Sequence, residues 1–218
     1  MANKKISKII LLGPQGSGKS TQGKVISDFL GVDVLPAGDL LRSNIREHTE
    51  LGVRIADFVN NGEMIPNSLM ISLMLGELKK PQYKKGWLLD GFPRDIEQAS
   101  NLDQHYLVDK VFNIEISNEL AIARIAGRRI CPNGHVFHIE HAPSSKVDFC
   151  DICHEALYYR EDDQAHVVEK RLGIYRSETV KLLRYYEQQG KLVVFDGSPS
   201  IAEVSKTIID YLKQNNVG

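Results

Sequence analysis

Gly13-Pro14-Gln15-Gly16-Ser17-Gly18-Lys19-Ser20-Thr21 follows the apolar run Ile9-Ile10-Leu11-Leu12 and precedes a helical pattern. Glycines at this spacing let successive backbone N–H groups point inward, and the helix behind them adds its positive end, so the stretch reads as a phosphate-binding loop. Gly13, Gly16, Ser17 and Gly18 form the cradle, Lys19 is expected on the transferring phosphates, and the hydroxyls of Ser20 and Thr21 face a Mg²⁺. A glycine-rich turn between any strand and any helix is the plain alternative, but Gly13, Gly18, Lys19 and Ser20 complete the full signature in the right context. The chain is expected to bind a nucleoside triphosphate.

Outward from this loop, 8–12 reads as a buried central strand and 19–30 as a helix with Val25, Ile26, Phe29 and Leu30 on one face. A second strand over 32–35 runs into Ala37-Gly38-Asp39-Leu40-Leu41-Arg42, where Gly38 and Asp39 open a helix and Arg42 lies one turn inside. From there to Pro66 the pattern is helical with breaks at Gly52 and at Asn60-Asn61-Gly62, a small helical insertion. Residues 67–80 are amphipathic through Leu69, Leu73 and Leu78, and the strand 86–90 ends on Asp90, an acid placed for a Mg²⁺-bound water. Helix 96–104, strand 108–116 and helix 119–129 continue the alternation. After an interruption come a long helix over 165–189, a strand over 192–196 and a helix over 201–214. Five short strands alternating with helices predict an α/β fold with a five-stranded parallel sheet and ligands at the strands' carboxyl ends.

Composition narrows the field. A chain of 218 residues, 42% hydrophobic and 25% charged, can bury one sizeable core with small insertions. Its formal net charge of -1 gives no long-range pull toward nucleic acid or a membrane surface, so a polyanion site must be focused locally. The lysines before Ile9 precede an apolar run too short for a signal peptide, and no segment has the apolar length of a membrane span, so a cytoplasmic location is expected. Cys131, Cys150 and Cys153 are odd in number and clustered, which argues against a disulfide framework.

Five stretches then carry a specific resemblance: Gly13 to Lys19, Ala37-Gly38-Asp39-Leu40-Leu41-Arg42, Leu89-Asp90-Gly91-Phe92-Pro93-Arg94, Gly127-Arg128-Arg129 and Arg160-Glu161-Asp162-Asp163. In order and spacing they resemble the adenylate kinase family in its long-lid form, from about Ile9 to the end of the chain. The resemblance implies transfer of a phosphoryl group from Mg²⁺-ATP to AMP, giving two ADP, and a monomer. It implies a CORE domain of residues 1–35, 67–126 and 164–218, a nucleoside-monophosphate domain of 36–66 and a lid of 127–163. It assigns Lys19, Arg94, Arg128, Arg160 and Arg171 to the phosphates, with Ala37, Gly38, Arg42, Gly91, Arg94, Gln98, Arg160 and Arg171 around AMP. Arg124 matches the position that stacks on the donor adenine, with Phe137 and His138 on that side. Phosphoryl transfer asks for alignment and charge neutralisation more than for covalent chemistry, which suits a site rich in guanidinium groups. Surface ion pairing is the competing use of these arginines. Asp162 and Asp163 stand where the lid rejoins the core and are expected to pair with arginines across the cleft.

The lid carries a second signal in Cys131-Pro132-Asn133-Gly134-His135 and Cys150-Asp151-Ile152-Cys153. Two knuckles of thiolate and imidazole separated by a short hairpin describe a structural Zn²⁺ site on Cys131, His135, Cys150 and Cys153. His138 and His141 are competing ligands, and a metal-free lid with free thiols is the other possibility.

Three departures from the family pattern are visible: Ser20 for a usual glycine, Ala37 for a usual threonine, and Asn67-Ser68 for two acids. The first is harmless, the second bears on acceptor choice, and the third is expected to touch only a hinge or a helix cap. Gln98 favours AMP and Ala37 resembles UMP/CMP kinases, so AMP is expected first with weaker use of CMP or UMP. A nucleic-acid-dependent ATPase with a zinc ribbon would need a basic face and stacking aromatics, which 7% aromatic residues do not supply. A switch GTPase would need guanine-reading motifs that are not found.

Overall fold

The computed structural model describes residues 5–160 and 163–215. In chain order run β1 (Lys8–Leu12), α1 (Lys19–Leu30), β2 (Asp33–Pro36), α2 (Ala37–Arg46), α3 (Glu50–Asn60), α4 (Asn67–Glu77), β3 (Trp87–Asp90), α5 (Ile96–His105), β4 (Lys110–Glu115) and α6 (Asn118–Ala126). An antiparallel hairpin of β5 (Arg128–Ile130) and β6 (Val136–His138) follows. Then α7 (Ala165–Ile174), a π-helical turn (Tyr175–Thr179), α8 (Val180–Gln188), β7 (Leu192–Asp196) and α9 (Ile201–Asn215) complete the described chain.

The sheet runs β2-β3-β1-β4-β7 with every pairing parallel, as the alternation predicts. Strands buried on both faces read as continuous apolar runs, and β1 divides its side chains by the two-residue period. Ile10 and Leu12 join Leu35, Met74, Trp87, Leu89, Leu102 and Tyr186 on the side of α4, α5 and α8. Ile9 and Leu11 join Ile26, Leu88, Phe112 and Ile208 on the side of α1 and α9. Register sets Leu11 opposite Asp90 and Asp90 opposite Pro36, so the phosphate loop, Asp90 and the start of α2 leave one edge together.

Several boundaries differ from the sequence expectation for identifiable reasons. Gly52 is not a break: it lies inside α3, where a Cβ would stand 2.0 Å from the Asn44 carbonyl oxygen, so glycine there lets α3 press on α2. The actual break is 47–49, closed by Thr49 Oγ1 accepting the Gly52 N–H at 2.9 Å. On α1 the buried face is Gln22, Gly23, Ile26 and Leu30, and Phe29 is left 42% exposed. On α4 the fully seated residues are Met70 and Met74 rather than Leu69 and Leu73. The helix expected to reach Arg129 stops at Ala126, and Arg128 pairs with His138 across the hairpin instead. The long helix over 165–189 contains the π-helical turn, a geometry that often marks functional sites. There Tyr175 donates its hydroxyl to Asn113 Oδ1 at 3.0 Å.

Candidate active site

A cleft of about 1860 Å³ opens at the carboxyl ends of β1, β2 and β3. Its floor is the phosphate loop, where Gly13, Gly16 and Gly18 hold φ of 142°, 84° and 88°, values that favour glycine. Gly13 also runs so close to β4 that a Cβ would meet the Ile114 carbonyl at 2.3 Å. No side chain caps the start of α1, which leaves its first N–H groups for an anion. Gly16, Gly18, Lys19, Ser20 and Thr21 line the cleft, whereas Ser17 is buried beneath the loop.

Lys19 reaches back to donate to the Pro14 carbonyl at 2.7 Å. Burial, with Arg94 and Arg128 adding repulsion and Asp90 offsetting part of it, brings its pKa down to about 8. Arg94 is likewise lowered to about 10 by desolvation, then by Arg171 and Arg42, against the pull of Asp90. Desolvated cations gathered on one cleft, each disfavoured further by guanidinium groups nearby, suit the binding of a polyanion. Ser20 Oγ donates to Asp90 Oδ2 at 2.6 Å, which joins two oxygen donors of the kind Mg²⁺ and its waters take.

On the α2 side, Arg42 pairs with Asp39 and stacks its guanidinium over Gly38. Arg94 Nε donates to the Gly91 carbonyl at 3.0 Å. Gln98 lines the cleft with its amide already engaged: Oε1 accepts the Arg94 N–H at 2.9 Å, and Nε2 donates to Asn67 Oδ1 at 2.7 Å. Ala37 is fully buried and is not among the cleft-lining residues, although Pro36 and Gly38 on either side are.

The opposite wall comes from the hairpin and α6. Arg128 is paired with Asp163, its Nε donating to Oδ2 at 2.8 Å, and Asp163 also accepts Gln15 Nε2 at 3.0 Å. Asp162 lies outside the described residues. Arg124 donates to the carbonyls of Gly197 at 2.9 Å and Ser198 at 3.1 Å, tying α6 to the loop after β7. Phe137, His138 and Arg160 line the same space. Arg171 donates to the Val59 carbonyl at 3.1 Å, and Lys170 pairs with Glu63 at 2.8 Å, so α7 touches the end of the α2–α3 insertion.

At the hairpin tip, the ligand atoms of Cys131, His135, Cys150 and Cys153 all lie within 4.8 Å of one another. His135 Nδ1 is 3.3 Å from both Cys131 Sγ and Cys150 Sγ, and the Cys153 and Cys131 sulfurs are 3.5 Å apart. A tetrahedral Zn²⁺ with bonds of about 2.3 Å to sulfur and 2.0–2.1 Å to nitrogen would space its ligands roughly 3.6–3.8 Å, so the four fit after small adjustments. His138 and His141 stand apart from this group, stacked on each other at 4.4 Å.

Sequence reasoning gives Gln15 no role of its own and Asn67 only that of a hinge or cap residue. Nothing local in the chain shows the hydrogen bonds they make, because their partners are 148 and 31 residues away.

A phosphate loop at the centre of a five-stranded parallel sheet, facing convergent arginines between two insertions, defines a P-loop phosphotransferase. A sequence profile described as adenylate kinase matches residues 11–191. The chain is 40% identical to an adenylate kinase of Methanosarcina mazei, over 92% of this chain and 95% of that one. It is 40% identical to one of Caldicellulosiruptor bescii, over 94% and 98%. With one of Streptomyces avermitilis it shares 36% identity over 96% and 98%. The chain belongs to the adenylate kinase family and is an ATP:AMP phosphotransferase. None of these relatives favours a UMP/CMP kinase, a nucleic-acid ATPase or a switch GTPase.

Proposed function

We propose that Mg²⁺-ATP lies over the phosphate loop, with Lys19, Arg128, Arg160 and Arg171 converging on the transferring group, and that AMP lies beside α2 with its phosphate on Arg42 and Arg94. The observation that supports this reading is that Lys19, Arg42, Arg94, Arg128, Arg160 and Arg171 line one cleft, where desolvation first and neighbouring guanidinium groups second lower the pKa values of Lys19 and Arg94, a cost that bound phosphates offset. Mg²⁺ would sit near Ser20 and Asp90 and supply charge neutralisation on the phosphate oxygens. Arg124, Phe137 and His138 flank the donor base, and Gln98 reads the acceptor base. The insertions 36–66 and 127–163 act as a monophosphate-binding domain and a lid, closing to exclude water around the reacting groups.

In this reading AMP is the preferred acceptor, with CMP and UMP weaker. Zn²⁺ on Cys131, His135, Cys150 and Cys153 stiffens the lid without entering the chemistry. A coupled assay with ATP and a panel of AMP, CMP, UMP and GMP tests acceptor choice without any polynucleotide. A higher kcat/KM for UMP or CMP than for AMP would leave only a general monophosphate kinase.

A further inference from the structure

The amide of Gln98 belongs to a chain of hydrogen bonds that runs one way. The backbone N–H of Arg94 can only donate, so the oxygen of Gln98 faces it at 2.9 Å. Gln98 Nε2 is then left to donate to Asn67 Oδ1 at 2.7 Å, and Asn67 Nδ2 to donate to Glu97 Oε2 at 2.6 Å. A carboxylate can only accept. A pure donor at one end and a pure acceptor at the other fix the sense of both amides, which side-chain amides do not otherwise possess. Gln98 is 1% exposed, so turning its amide over would bury donor against donor.

Each group of the Gln98 amide keeps half of its capacity. Oε1 has a second lone pair and Nε2 a second N–H, and both belong to a residue on the cleft wall. A 6-aminopurine offers a donor at the exocyclic nitrogen and an acceptor at N1, which complement that pair. A 6-oxopurine offers the same two positions with the roles exchanged, and only an inverted amide would fit it. We infer that Asn67, held by Glu97, is a positioning residue that locks Gln98 in the sense that selects 6-aminopurine over 6-oxopurine monophosphates. This rests on the reading of Gln98 as the contact to the acceptor base. It assigns a task to a position expected from the sequence to touch only a hinge or a cap.

The test compares kcat/KM for AMP and IMP, two purines that differ at this edge, in wild type, Asn67→Ala, the double variant N67D/E97Q and Gln98→Ala. Because both substrates meet the same preparation, the ratio does not depend on how much of a variant is folded. Asn67→Ala is expected to lower the AMP:IMP ratio about 3- to 10-fold, the worth of one neutral hydrogen bond, mostly through KM for AMP. N67D/E97Q re-creates the chain with a carboxylate accepting from Gln98 and an amide donating to it, and is expected to restore the ratio. An unchanged ratio in Asn67→Ala beside a collapsed one in Gln98→Ala would overturn the role of Asn67 alone, as would a failure of N67D/E97Q to restore it. An unchanged ratio in Gln98→Ala would remove the base-reading role of Gln98, and this inference with it.

Discussion

Arg128 donates its Nε–H to Asp163 at 2.8 Å across 35 residues, so the first strand of the hairpin is joined to the chain's return into the core. The side chain of Asp163 has no solvent contact, and Gln15 of the phosphate loop reaches the same carboxylate at 3.0 Å. Asp163→Asn keeps an acceptor but loses the charge, leaving Arg128 without its counter-ion. We expect a loss of about 1–3 kcal/mol, on the scale of a charged hydrogen bond, with faster hydrogen exchange through 127–163. Wild-type exchange in that segment would show that the pair does not hold it.

Lys19→Met should lower kcat by about 10²-fold or more, the usual consequence of deleting a preorganised contact to transition-state charge. The same variant should melt at a higher temperature than wild type at neutral pH without nucleotide, because it removes a cation that burial and neighbouring arginines disfavour. Near-normal turnover, or a lower melting temperature, would contradict the role assigned to this residue.

The lowered pKa of Lys19 also sets a pH dependence. Above about 8 the free protein loses the ammonium that phosphates need, so kcat/KM for ATP should fall on the alkaline side with a midpoint there. Bound phosphates restore the charge, and binding above that pH should take up protons, measurable as a buffer-dependent heat in titration calorimetry. Stability moves the opposite way. Between about 8 and the ordinary 10.5 the unfolded chain holds more protons at this residue than the folded one, so its unfavourable contribution fades as pH rises. Proton-neutral ATP binding at alkaline pH would rule out Lys19 as the titrating contact.

The group of Cys131, His135, Cys150 and Cys153 should hold about one Zn²⁺ per chain, and chelation should lower the melting temperature more than the activity at 25 °C, because a structural site supplies folding energy. Elemental analysis finding no metal, with all three thiols freely titratable in the native protein, would exclude the site.

Where the chain's signals are local, sequence and structure agree. The Ile9 to Thr21 stretch states its strand, loop and helix through patterning and glycine spacing, and the parallel sheet follows from the alternation around it. Disagreement begins where tertiary contact decides. Gly52 reads as a helix breaker because its propensity is poor, yet the approach of the Asn44 carbonyl makes glycine the residue α3 requires there. Arg128 continues a helical pattern in sequence, yet cross-strand pairing with His138 draws it into a hairpin that faces the cleft. Asn67, as a departure from the family pattern, is expected from the sequence to touch only a hinge or a helix cap, while its side-chain partners Glu97 and Gln98 lie on another helix.

The position of β1 in the middle of the sheet has a consequence for synthesis. The strand that delivers the phosphate loop is made first, but its neighbours are residues 87–90 on one side and 110–115 on the other. A nascent chain that has emerged only as far as α4 therefore has the phosphate loop but neither of the strands that flank β1. At translation rates of about 5–20 residues per second, β1 waits several seconds for β4, with a row of isoleucine and leucine side chains exposed. Both edges of β1 can be paired only once residues 110–115 have been made.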